Sequence, residues 1–236
     1  MSTDQQLGLD QYKIQACEYA VQYVESGMVV GLGFGSTAIH ALRMIGQLIG
    51  NGELNDIRAV PTADSIEREA RQNGIPIVEL GEIKRIDLTI DGADEIDPDL
   101  NLIKGGGGAL LREKIVAQAT DREIIVADHT KLSPQLGTRF DLPVEVLPFG
   151  WGAQIEFLTN LGASVSRRST VKGEPFISDS GNFILDCSFG PIQDPLDLSQ
   201  ALQTRAGVME HGLFLNLASD AVVAGPEGVD HLRREL

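Results

Sequence analysis

The sequence predicts an α/β protein built on a parallel sheet, with a smaller α+β unit inserted late in the chain. Three observations carry this. Short apolar runs alternate with helical stretches through the first half. Polar or glycine-rich loops come directly after three of those runs: GLGFGST after Val30, DGADEID after Ile90 and DHTK after Ala127. From about Gly137 the order becomes strand, helix, strand, strand, helix, strand. Strands alternating with helices imply a Rossmann-like sheet covered on both faces. The later order is that of a ferredoxin-like unit. The predicted division is residues 1–136 plus 215–236 for the Rossmann-like domain and 137–214 for the small one.

Each element has its own signal along the chain. Asp10 to Ser26 forms a helix with Ile14, Cys17, Ala20, Val21 and Val24 on one face, ended by Gly27. Met28 to Gly31 is a buried strand. Ser36 to Ile49 is a helix, stopped by Gly50-Asn51-Gly52. Ile57 to Val60 is a strand, Asp64 to Asn73 a charged helix, and Ile75 to Leu80 a strand that Pro76 confines to an edge. Ile86 to Ile90 is a strand, Leu110 to Ala119 a helix and Glu123 to Ala127 a strand. In the small domain, strands at Leu142 to Leu147, Ala163 to Arg167, Phe183 to Cys187 and Val208 to Phe214 alternate with helices at Gly152 to Leu161 and Leu196 to Arg205. Ala221 to Ala224 is a strand placed to return to the first sheet.

Composition narrows the function. Of the 236 residues, 19 are Lys or Arg and 34 are Asp or Glu, a net charge of -15. Such a chain is ill suited to nucleic acid or an anionic membrane, which require clustered basic residues. An anionic ligand must be held locally, by a few lysines and backbone amides. Cys17 and Cys187 lack any paired spacing and read as buried, inert thiols. No run approaches a membrane span, and the N-terminal MSTDQQLGLDQYK lacks a signal-peptide core, so a cytoplasmic protein is expected. No metal spacing of histidines or cysteines and no G-x-S-x-G elbow occurs.

Three motifs carry chemistry. In Gly31-Leu32-Gly33-Phe34-Gly35-Ser36-Thr37, glycines let a backbone approach a ligand, and the helix just after them offers amides to phosphate. The same residues also suit a plain tight turn capped by Ser36. Neither the dinucleotide fingerprint nor the Walker loop is matched. Asp91-Gly92-Ala93-Asp94-Glu95-Ile96-Asp97 places four carboxylates in seven residues, a set suited to proton transfer, although it equally reads as a solvated acidic loop. It lacks the calcium-loop pattern. Asp97 before Pro98 reads as turn chemistry. Lys104-Gly105-Gly106-Gly107-Gly108, leading into a helix with Glu113, suggests close backbone approach to a ligand. Glu113 is either a catalytic carboxylate or one half of a surface ion pair.

With these motifs in place, the chain resembles the ribose-5-phosphate isomerase A family along essentially its whole length, through GLGFGSTA, DGADEID, KGGGGALLREK and VADHTK. The resemblance implies aldose–ketose isomerisation of ribose 5-phosphate and ribulose 5-phosphate, in the non-oxidative branch of the pentose phosphate pathway. It implies catalytic roles for Glu113, Asp91, Asp94 and Lys104. It puts Phe34, Gly35, Ser36, Thr37, Gly92, Ala93, Gly105, Gly106, Gly107, Lys131 and Lys13 in contact with substrate. It implies no metal, no organic cofactor, and a homodimer or homotetramer. Two positions depart from the family pattern: Phe34 stands where Thr is usual, and Ala63 where Ser is usual. Other readings are a related sugar-phosphate isomerase or deaminase, or a non-catalytic sugar-phosphate sensor. The sensor would require a basic helix-turn-helix, which the sequence does not display.

Overall fold

The computed structural model describes residues 3–234. The chain divides into two compact units. One comprises residues up to 93, 112–131 and those from 216 on; the other comprises 94–111 and 132–215.

The first unit holds α1 (Thr3–Val21), β1 (Val29–Leu32), α2 (Ala38–Gly50), β2 (Arg58–Pro61), α3 (Asp64–Gln72) and β3 (Ile86–Asp91). Later come most of α4 (Leu110–Gln118), then β6 (Thr120–Asp128), β12 (Asp220–Gly225) and β13 (Gly228–Arg233). The sheet order is β13-β12-β6-β3-β1-β2. All pairings are parallel except the β12–β13 hairpin. The strands are apolar because both faces are covered: β1 is buried throughout, and Ile124, Ile125, Val126, Val222 and Leu88 are at most 2% exposed. Each such side chain contributes about 1.5–3 kcal/mol by its burial. From β1 the chain runs through α2 to β2 on one side, while β3 lies on the other. The strand order therefore reverses at β1, and the gap between the carboxyl ends of β1 and β3 is the place where such sheets bind ligands.

The second unit contains β4 (Glu95–Ile96), β5 (Leu102–Ile103), β7 (Leu142–Val146), α5 (Trp151–Asn160), β8 (Ser164–Arg167), β9 (Phe183–Ser188), α6 (Pro195–Gln203), β10 (Val208–His211) and β11 (Leu213–Phe214). Its antiparallel sheet has the order β10-β7-β9-β8, the ferredoxin-like arrangement. Asp194 caps α6 by accepting the N–H of Asp197 at 2.9 Å, with Pro195 in the first turn. A second, three-stranded sheet has the order β11-β5-β4. Segments 94–111 and 132–136 belong to this unit because β5 pairs with β11, and Ile103 and Leu136 join its apolar core.

Several elements differ from the sequence reading. The first helix begins earlier and stops at Val21 rather than Ser26. The segment from Ile75 to Leu80 is no strand. Ile77 makes one parallel bridge to Ala59, with Pro76 accepting from the Ala59 N–H, and Leu80–Glu82 turns as a short 3-10 helix. Pro76 has no N–H with which to continue a ladder. The expected strand from Val208 to Phe214 breaks at Gly212, and its two halves enter different sheets. Ala221–Ala224 lies in β12, which pairs with β6 as expected and continues into β13.

Candidate active site

In the first unit the site is built from the residues just past the carboxyl ends of β1 and β3. These strands pair in register, Leu32 opposite Ile90, and the Gly33 N–H donates to the Ile90 carbonyl at 3.0 Å. The chain then needs a residue without a side chain: a Cβ on Gly33 would lie 2.2 Å from Asp91 Oδ1 and 2.4 Å from the Asp91 Cα. That approach lets Asp91, fully buried at the end of β3, accept the N–H of Phe34 at 3.0 Å and that of its neighbour Gly92 at 2.7 Å, both on Oδ1. Gly35, Ser36 and Thr37 complete the turn into α2, and Thr37 does not cap that helix with its hydroxyl. Phe34 thus reaches Asp91 through its backbone, which needs no hydroxyl.

Glu113 sits on α4 and is buried, at 4% exposed, rather than on the helix surface. Lys131 ends the 3-10 turn after β6, where Asp128 accepts the Thr130 N–H at 2.9 Å and its hydroxyl. Lys13 lies on α1, mostly buried, with its ammonium 3.0 Å from Asp10. Tyr12 packs edge-on against His129 at 5.6 Å between ring centroids, which brings the segments carrying the two lysines together.

In the second unit Asp94 and Lys104 flank the short β4–β5 pair. The Asp94 N–H donates to Ile103 O and the Lys104 N–H to Gly212 O, each at 2.9 Å. Asp94 Oδ2 accepts the N–H of Gly106 at 2.7 Å, tying the carboxylate to the glycine segment. Lys104 is 2% exposed, and its ammonium stands 5.4 Å from the centre of the Phe214 ring.

The four carboxylates of DGADEID each have their own hydrogen-bond partners. Asp91 holds the Phe34 turn and Asp94 holds Gly106. Glu95, fully buried, accepts the backbone N–H groups of Gly137, Thr138 and Arg139 at 2.8, 3.2 and 3.0 Å. Asp97 accepts from Asp99 and Asn101, the expected turn chemistry. The structural role of Glu95 was not visible in the sequence, since its partners lie more than forty residues away. Cys17 and Cys187 are both buried; burial pushes the Cys17 thiol up to about 12 and raises that of Cys187 further, so both are protonated and inert.

A family model described as ribose 5-phosphate isomerase A (phosphoriboisomerase A) matches residues 58–228. Ribose-5-phosphate isomerase A of Chloroflexus aurantiacus is 55% identical over 220 residues, covering 93% of this chain and 92% of that protein. That of Desulfatibacillum aliphaticivorans is 53% identical over 224 residues, covering 95% and 97%. Among solved structures, ribose 5-phosphate isomerase from Plasmodium falciparum superimposes with a TM-score of 0.93 at 40% identity, over 97% of this chain and all of that one. A D-ribose-5-phosphate isomerase in complex with phospho-erythronic acid gives 0.94 at 40% identity, over 96% of this chain and 99% of that one. Fold and relatives together make this chain an α/β enzyme of the isomerase class. It belongs to the ribose 5-phosphate isomerase A family, which interconverts ribose 5-phosphate and ribulose 5-phosphate.

Proposed function

We propose that the isomerisation runs through an enediolate with Glu113 as the base. The observation that carries this is the burial of the Glu113 carboxyl on α4, the helix into which the glycine segment leads. Glu113 removes the C2 proton of the open-chain aldose. The C–H electron pair becomes the C1–C2 double bond, and the carbonyl pair moves onto O1. The same carboxyl returns the proton to C1 while the O2 proton passes to O1, which leaves the carbonyl at C2. Lys104 stabilises the oxyanion, the kind of term that dominates such reactions. Its burial supports that role, because a charge kept from water acts more strongly. Asp91 and Asp94 move protons on the sugar oxygens during ring opening.

Phe34, Gly35, Ser36, Thr37, Gly92, Ala93, Gly105, Gly106 and Gly107 are the residues we assign to contact with the substrate, while Lys131 and Lys13 hold the phosphate. The ligand named for one solved relative, phospho-erythronic acid, fits this reading. Its planar carboxylate resembles the enediolate in charge and shape. We place the enzyme in the cytoplasm, as a homodimer or homotetramer, with residues 1–136 plus 215–236 as its catalytic domain. Among the described residues no helix is long and apolar enough to cross a membrane.

Proton NMR of the EDTA-treated protein with ribose 5-phosphate in D₂O tests the mechanism. Ribulose 5-phosphate with solvent exchange at the transferred position is expected. Glu113→Gln is expected to lower turnover by about 10²–10⁴-fold. Unchanged turnover in that variant rules Glu113 out as the base.

A further inference from the structure

Arg168 belongs to none of the glycine-rich or acidic motifs. It lies just past β8 and opens a hairpin arm of the second unit. Its N–H donates to Ile184 O at 2.9 Å, its carbonyl accepts from Phe176 at 3.0 Å, and Ser169 bridges to Pro175. The guanidinium is shared between two partners. One edge grips Asp186 of β9 through both carboxylate oxygens, Nε donating to Oδ2 at 3.0 Å and Nη2 to Oδ1. The remaining nitrogen, Nη1, donates to the carbonyls of Gly105 at 2.8 Å and Gly106 at 3.0 Å.

The Gly105 carbonyl and the Gly106 N–H belong to one peptide group. Its oxygen is held by Arg168 and its N–H by Asp94 Oδ2 at 2.7 Å. A peptide between two glycines has little intrinsic resistance to rotation, because neither side carries a Cβ. Here both of its ends are tied. Phe176, at the far side of the arm, closes over the same segment: a Cβ on Gly108 would lie 2.4 Å from its ring. Asp186 orients the guanidinium as a fork, so a lysine could not serve both partners in the same way.

We propose that Arg168 is a positioning residue for the isomerisation. It fixes the Gly105–Gly106 peptide so that the N–H faces Asp94, and thereby sets the direction of the Asp94 carboxylate and of the glycine backbone beside Lys104. The proposal rests on the proposed function, in which Asp94 and Lys104–Gly107 act on the substrate. A misplacement of this kind costs up to about 10²-fold in rate.

The test compares Arg168→Met, Arg168→Lys and Arg168→Ala with Asp94→Asn and with Arg167→Met. Arg167 stacks on Trp151 at 4.4 Å and serves as the control. Arg168→Met and Arg168→Lys are expected to lose about 10- to 100-fold in kcat per folded molecule with a smaller change in KM. Ethylguanidinium, but not ethylammonium, should restore activity to Arg168→Ala. The Arg168→Met and Asp94→Asn losses should fall short of multiplying in the double variant, since both act on one peptide. If Arg168→Lys keeps full kcat, or if losses only track the folded fraction and guanidinium restores nothing, the proposal is overturned. If Asp94→Asn itself keeps full activity, the underlying function for Asp94 fails instead.

Discussion

The N–H of Phe34 donates to Asp91 Oδ1 at 3.0 Å, so position 34 serves the turn with its peptide rather than its side chain. The aromatic ring at a position where the family usually has threonine therefore leaves the latch between β1 and β3 unaltered. Asp91→Asn separates the latch from the chemistry. The amide oxygen can still accept from Phe34 and Gly92, so stability is expected to fall by only about 1–2 kcal/mol. Turnover is expected to fall by about 10²–10⁴-fold, because an amide cannot carry a proton between oxygens. Denaturant midpoints and kcat measured on the same samples check this. A variant that is native in both respects removes Asp91 from the acid–base set.

Long elements were legible in the sequence because their apolar periods are set by burial on the sheet. The helix predicted from Asp64 and the strand predicted from Ile86 start where they are found. The pairs Glu95–Ile96 and Leu102–Ile103 were not legible, since two residues carry no period, and Leu213–Phe214 was read as the end of one longer strand because its pairing depends on a partner far along the chain. The β13 strand was missed because most of its residues are solvent-facing and no apolar alternation marks it. At the site, the glycine-rich runs stood out by composition, whereas Glu113 was left open by its local sequence and took its role only from the family resemblance. Arg168 lies 63 residues beyond Gly105, and nothing in the local sequence of the arm points to that carbonyl.

Lys131 closes a turn that Asp128 holds rigid through Thr130, and the net charge of -15 leaves few cations to attract a phosphate from a distance. Binding energy at a non-reacting phosphate is felt chiefly in substrate affinity. Lys131→Ala is expected to raise KM by about 10- to 100-fold, the loss of one charge-assisted contact, while kcat changes less. Steady-state kinetics decide it. A fall in kcat at constant KM contradicts a phosphate-anchoring role.

Asp220 opens β12 beside Arg122 and His231. Arg122 donates to its two oxygens at 2.8 and 3.1 Å, and His231 Nε2 lies 2.7 Å from Oδ1. Burial alone would raise the Asp220 carboxyl, but the Arg122 and His231 contacts outweigh it and hold it below its ordinary range. A carboxyl depressed in the folded state gives stability that is full above its unfolded value of about 3.9 and is lost as pH falls through the folded value. Asp220→Asn is therefore expected to cost about 1–3 kcal/mol at pH 7. The gap to the parent should close as pH falls below about 4. Urea midpoints measured from pH 7 to pH 2 test it, and a gap that stays constant throughout contradicts the assignment.

Ala63 occupies the N-cap of α3 in an extended conformation (φ -153, ψ 155), and no side chain caps the helix. The serine usual in the family at this position would place a hydroxyl where the N–H groups of Ser65 and Ile66 begin the helix. Ala63 also lines a cavity of about 370 Å³ with Pro61, Glu67, Arg112 and Val116. Replacing alanine by serine at an N-cap typically stabilises by about 0.5–2 kcal/mol. Ala63→Ser is expected to raise the urea midpoint accordingly and to leave KM for ribose 5-phosphate within about twofold, since a helix cap changes kcat/KM only if it moves the site. A large fall in KM without a gain in stability would instead make the hydroxyl a substrate contact.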